Sequence, residues 1–116
     1  MIVLSWPPSI LSPNARCHWA AKAIAVREYR TACWAATACQ APRFRGKIDK
    51  AAKIALKIVF HPPSRRRMDL DGCLSRLKSG LDGIADALGV DDSRFTLQIE
   101  MGEPVKGGEV LVMING

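Results

Sequence analysis

The sequence has little of what thiol, zinc and imidazole sites are built from. Histidine occurs twice (His18 and His61), and no two of the four cysteines (Cys17, Cys33, Cys39, Cys73) have C-x-x-C spacing. No zinc pattern can be completed from that set, and scattered cysteines without a leader read as reduced thiols of a cytosolic protein. The first residues, Met1 to Pro8, lack the basic start and long apolar run of a signal peptide. No stretch approaches the ~20 apolar residues a membrane span needs. There is no internal repeat and no low-complexity tail. Acidic residues are also scarce, 11 against 17 basic ones, for a formal charge of +6. Such a surface favours polyanionic partners and speeds encounter with them. A chain of 116 residues, 48% hydrophobic, is expected to form a single domain over residues 1–116. Its core should remove roughly two-thirds of the unfolded surface from water.

The pattern predicts an α+β fold. Ile2 to Ser5 reads as a strand stopped by Pro7-Pro8, and residues 9–16 as a loop in which Ser12 or Asn14 caps the first helix. Residues 15–41 are alanine-rich and predict one helix, with Trp19, Ala23, Val26, Cys33 and Thr37 on its inward side and Lys22, Arg27 and Arg30 adding charge. Residues 41–48 read as a polar connection containing Pro and Gly. Ile54 to Phe60 predicts a strand with Ile54, Leu56, Ile58 and Phe60 on one face. Leu70, Leu74, Leu77, Leu81, Ile84 and Leu88 advance in steps of 4, 3, 4, 3, 4, an amphipathic helix that Gly89 closes. Phe95 to Met101 and Val110 to Ile114 read as strands on either side of Gly107-Gly108. The expected order is β-α-β-α-β-β: a mixed sheet packed by two helices.

The chemistry concentrates in Arg65-Arg66-Arg67-Met68-Asp69-Leu70-Asp71, answered two dozen residues later by Asp91-Asp92. Guanidinium forks match phosphate oxygens. Clustered acids repel phosphate unless a divalent cation lies between, and hard cations take oxygen ligands while leaving positions for substrate. The pairing suggests metal-assisted phosphodiester cleavage. Each part also has a plainer reading. Asp69 and Asp71 open a helix, where acids serve as caps and complement the dipole. The arginines alone make a solvated loop. Asp71, Ser75, Lys78 and Asp82 share the polar face of the helix, so Lys78 either serves phosphate or pairs with Asp82 at i, i+4. Arg76 is rotated off that face. Arg16 and Lys22 are further candidates for phosphate contact. Trp6, Trp19, Trp34 and Phe44 either stack bases or fill the core, and His18 and His61 read as packing or surface residues. A helix of about twenty residues is ~30 Å long. Asp92 can therefore join Asp69 and Asp71 only if the helix bends or shortens, the returning chain brings it back, or a second subunit supplies it.

Arg65 to Gly72, Leu77-Lys78-Ser79-Gly80-Leu81-Asp82-Gly83 and Gly89-Val90-Asp91-Asp92-Ser93 together resemble the RusA-type Holliday junction resolvases. Trp6-Pro7-Pro8-Ser9 with the Asn-containing loop after it, and Gly107-Gly108 before the last strand, are similar to that family too, so the likeness covers nearly the whole chain. It implies a homodimeric endonuclease, of a kind common in phages and prophages, that nicks four-way DNA junctions symmetrically with Mg²⁺ or Mn²⁺. It further implies that Asp69, Asp71 and Asp92 are the catalytic, metal-holding acids, with Lys78 as the helix lysine. The chain departs from the pattern at Gly72, where the family usually has Asn, at Ser75, which holds the usual lysine position, and at Met68 within the arginine run. The competing expectations are a branched-DNA-binding module with weak or no cleavage, a general metal-dependent nuclease, and a basic interaction protein whose acids only cap helices.

Overall fold

In the computed structural model, residues 1–116 are described except 14, 17, 51, 52 and 116, and the side chains of 45–47, 49, 50 and 115 are also left out. Asn14 and Cys17 therefore lie outside the described residues. The fold is a single α+β domain. Its elements are β1 (Ile2–Ser5), α1 (Trp19–Ala38), α2 (Ala41–Lys50), β2 (Ile54–His61), α3 (Leu70–Leu88), β3 (Phe95–Met101) and β4 (Glu109–Asn115), with single 3-10 turns at Ser9–Leu11 and Asp92–Arg94. The four strands form one mixed sheet in the order β1-β4-β2-β3. β4 runs antiparallel to both β1 and β2, and β3 runs parallel to β2, with Ile54 beside Phe95 and Phe60 beside Met101. Among the described residues no helix is long and apolar enough to cross a membrane.

Among the described residues three helices stand where two were expected. The stretch read as a polar connection is α2, and the long first helix stops at Ala38. Pro42 is the second residue of α2, where an amide has no intrahelical partner to lose. Ala41 and Ile48 are buried, and Phe44 packs half-buried on the core. Their spacing of 3 and 4 is a helical stripe that the Pro and Gly of this segment obscured. The cap of α1 also differs from expectation. His18 holds it, its Nδ1 accepting the Ala20 amide at 3.2 Å. The inward face of α1 is Tyr29, Cys33 and Thr37, whereas Trp19 and Ala23 are exposed.

One face of the sheet carries the core. Ile2, Leu4, Ile54, Leu56, Ile58, Phe60, Val110 and Val112 are almost fully buried, packed beneath Tyr29 and Cys33 of α1 and Cys73, Leu77 and Ile84 of α3. Truncating one of these to Ala costs about 2–5 kcal/mol. α1 and α3 approach closely because α3 presents glycines at the contact. A Cβ on Gly83 would strike the Arg30 carbonyl, and one on Gly80 would sit 2.8 Å from a Tyr29 ring carbon. Gly89 ends α3 in the left-handed conformation (φ 67°), and the Val90 amide reaches back to the Ala85 carbonyl at 3.1 Å, as a helix C-terminus that closes on glycine does.

Because β1 and β2 are both antiparallel to β4, they run in the same sense, and the helices after them return side by side. Tyr29 lies by Gly80 and the Trp34 amide by Gly83, so α1 and α3 advance together. Both helices therefore begin at one end of the molecule, where the parallel strands finish.

Candidate functional site

At that end, the chain leaving β2 turns through Pro62 and Ser64 into the arginine loop and then enters α3. The Gly102 amide bonds to the Phe60 carbonyl at 2.8 Å, the Val105 amide to the Pro62 carbonyl at 2.9 Å, and His61 Nδ1–H donates to the Glu103 carbonyl at 2.7 Å. These bonds fasten the β3–β4 connection against the arginine loop. Between the two lies a hollow of about 370 Å³, lined by Arg65, Arg66, Arg67 and Met68 on one side and by Met101 to Pro104 on the other. All three arginines are exposed. The Arg66 amide bonds to Ser64 Oγ at 3.3 Å, a local turn that Ser favours.

Asp69 occupies the N-cap of α3 with extended backbone, yet its side chain makes no capping hydrogen bond. Asp71 lies in the first turn, and both residues are exposed. Ser75 turns its hydroxyl onto the Asp71 carbonyl at 2.9 Å, so it cannot replace the lysine expected at its position. Lys78, further along, lines a hollow of about 330 Å³ with Leu81, Asp82, Asp92, Phe95 and Leu97.

Asp92 lies at the other end of α3. β3 starts beside Ile54, at the beginning of β2, while Asp69 comes after the end of β2. The 19 residues of α3 separate Asp69 from Asp92 by about 28 Å at 1.5 Å per residue. α3 neither bends nor shortens enough to close that gap, and β3 does not bring Asp92 back. A single chain thus does not join Asp92 to Asp69 and Asp71, which leaves a second subunit of the three routes the sequence offered. Among the described residues no group of three His, Cys, Asp or Glu could hold a metal. Asp69 and Asp71 offer the oxygen donors a hard cation takes, but they are two acids of an expected three.

The Asp92 end has its own electrostatics. Asp91 Oδ1 accepts the Ser93 amide at 2.9 Å, and that bond holds its carboxyl below the ordinary aspartate range. The hydrogen bond with Asp91 pushes the Asp92 carboxyl up, as one of two adjacent acids must be. Arg30 reaches across from α1 to Asp86 at 2.7 and 2.9 Å. With Asp82, Asp91 and Asp92 this pair lines a polar hollow of about 280 Å³.

The remaining candidates divide. Lys22 Nζ donates to the Ser12 carbonyl at 3.1 Å, which ties the entry loop to α1. Arg16 is exposed. Arg76 is a structural tie, donating to the Pro7 carbonyl with its guanidinium 5.9 Å from the Trp6 ring centroid. Trp6 packs edge-on against Phe60. Trp19 is 77% exposed and Trp34 46%. Cys33 and Cys73 are poor nucleophiles: burial raises the Cys33 thiol to about 11 and pushes Cys73 up as well.

These features define a two-layer α+β domain with an arginine loop and two exposed acids at one end and Asp82, Asp86, Asp91 and Asp92 at the other. No family model matches the chain. It is 38% identical over 117 residues to an uncharacterized protein of Xylella fastidiosa, a match spanning 99% of this chain and 75% of that protein. The chain belongs to the same family as that Xylella protein.

Proposed function

We propose that the protein is a RusA-type, Mg²⁺-dependent endonuclease that acts in the cytoplasm as a homodimer, resolving four-way DNA junctions by paired symmetric nicks. The observation that carries the reading is Asp69. It occupies a cap position without spending its carboxylate there, and it stands with Asp71 beside an exposed arginine loop. Simple capping does not account for that arrangement.

The reading requires Asp92 of the partner subunit to reach Asp69 and Asp71. An antiparallel, two-fold pairing of the α3–β3 flanks would bring opposite ends of the two copies together. Leu97 and Met101 are 42% and 37% exposed on that flank, and half-buried Leu81 lines the same hollow as Leu97. The pairing would set the arginine loop of one copy against Asp91 and Asp92 of the other, which orients association. Mg²⁺ or Mn²⁺ would be held by Asp69, Asp71 and Asp92 of the partner subunit. When bound, the cation supplies Lewis-acid polarisation of the scissile phosphate. Arg65, Arg66 and Arg67 grip flanking phosphates through paired N–H donors, and Arg16 adds to that contact. Lys78 offsets negative charge developing on the phosphate. Two sites related by a two-fold axis suit a junction with its own approximate two-fold symmetry.

The test is a nicking assay on a four-way junction with and without Mg²⁺. Paired nicks are expected in wild type. They should vanish in Asp71→Asn, while junction binding persists. Binding without nicks would leave a branched-DNA-binding module, a reading that the incomplete acid set of one chain favours if the protein is monomeric. Equal cleavage of linear, flap and junction DNA would indicate a general nuclease.

A further inference from the structure

Trp19 is the most exposed large hydrophobic side chain among those of the described residues, at 77%. Tryptophan is usually well buried, because its ring contributes more to core packing than most side chains do. Here it opens α1, and its ring stacks on His18 with centroids 5.7 Å apart and planes 28° from parallel. His18 is itself fixed, since its Nδ1 accepts the Ala20 amide at 3.2 Å. That bond leaves the helix cap and the ring stack supporting each other, so the indole is oriented although nothing covers it. The chain entering α1 is held by Lys22 on the Ser12 carbonyl. Trp19 stands at the same end as the arginine loop, Asp69 and Asp71, because α1 and α3 both begin there. The first turn of α1 carries no acid, and Arg16 is exposed three residues before the ring. Nothing in that stretch repels a polyanion.

We infer that Trp19, backed by His18, is the base-stacking platform by which the protein distinguishes a DNA branch point from continuous duplex. This rests on the junction-resolvase reading above and assigns that reading's structural selectivity to one residue. In continuous duplex every base is stacked on both faces. At a branch point the terminal bases of the arms can lose a stacking neighbour, and an aromatic ring can take the vacant face. Such stacking is worth about 1–3 kcal/mol per base. A loss within that range corresponds to about tenfold in affinity. The other tryptophans do not compete for the role. Trp6 is packed on Phe60, and Trp34 lies farther along α1, at its contact with Gly83 of α3 and away from the arginine loop.

The test measures binding of full-length protein to a four-way junction and to a linear duplex in Ca²⁺, with 2-aminopurine at the branch-point base. Wild type is expected to prefer the junction and to change the 2-aminopurine emission. Trp19→Ala should lose about tenfold in junction affinity, together with the emission change, while duplex affinity stays put. Trp19→Phe should keep most of both, and Trp34→Ala should behave as wild type. Junction preference intact in Trp19→Ala overturns the stacking role alone. A wild type that grips junction and duplex alike overturns the stacking role and the resolvase reading together.

Discussion

Asp69 and Asp91 both precede a helical turn, yet only Asp91 caps one. Asp91 accepts the Ser93 amide and is held in its ionised form by that bond. Asp69 leaves its carboxylate unbound at the head of α3. The same residue type at the same kind of position is structural in one place and free for a ligand in the other, and hydrogen-bond geometry alone separates them. Glycines divide in the same way. Gly83→Ala should destabilise by about 1–3 kcal/mol through overpacking, because its Cβ would meet the Arg30 backbone. Gly72→Ala has nothing within 4 Å of its new Cβ. It should instead stabilise by about 0.5–1 kcal/mol, the helical preference of Ala over Gly. Urea unfolding of the two variants checks both signs. Equal effects would show that α1 and α3 can separate at little cost.

α1 and α3 are fastened by close packing at Gly80 and Gly83, and on the surface by the Arg30–Asp86 pair. The hydrogen bond from Arg30 lowers the Asp86 carboxyl. A folded-state value below the unfolded one contributes stability that is present above the unfolded aspartate range and lost as pH falls through the folded-state value. Asp86→Asn should therefore melt slightly below wild type at neutral pH, and the gap should close in strong acid. The effect is small because both side chains are nearly half exposed. Melting curves at several pH values check it, and a gap that widens in acid would contradict the assignment. α2 shows packing overriding local preference. Its inward residues Ala41, Phe44 and Ile48 had the spacing of a helix, but local propensity at Pro42 and Gly46 pointed the other way. Burial against the core outweighed it.

At the scale of the whole molecule, α3 acts as a spacer that keeps Asp92 away from Asp69 and Asp71. If the site is shared across a two-fold axis, mixing two inactive variants must restore activity. Asp71→Asn and Asp92→Asn should each be dead alone. After co-refolding, the mixed dimer carries one site with both changes and one intact site. Single nicks in a junction are the expected product. A mixture as inactive as its components would place all three acids on one chain or remove the acids from the chemistry. The exposed Leu97 and Met101 on the α3–β3 flank mark the surface such a dimer would cover.

The amino-acid order by itself determined the strands, the span of α3 and its closing glycine, since each rests on local periodicity or backbone preference that near neighbours suffice to set. It also marked the arginine loop and the aspartates, because clustered charge of both signs is visible without a fold. Only the tertiary structure decided that α2 is a helix and that Trp19 faces out. It alone put Asp92 at the far end from Asp71. Those outcomes depend on which surfaces meet across the α1–α3 contact and on the direction of β3 beside β2, and both are set by packing between residues distant in the chain.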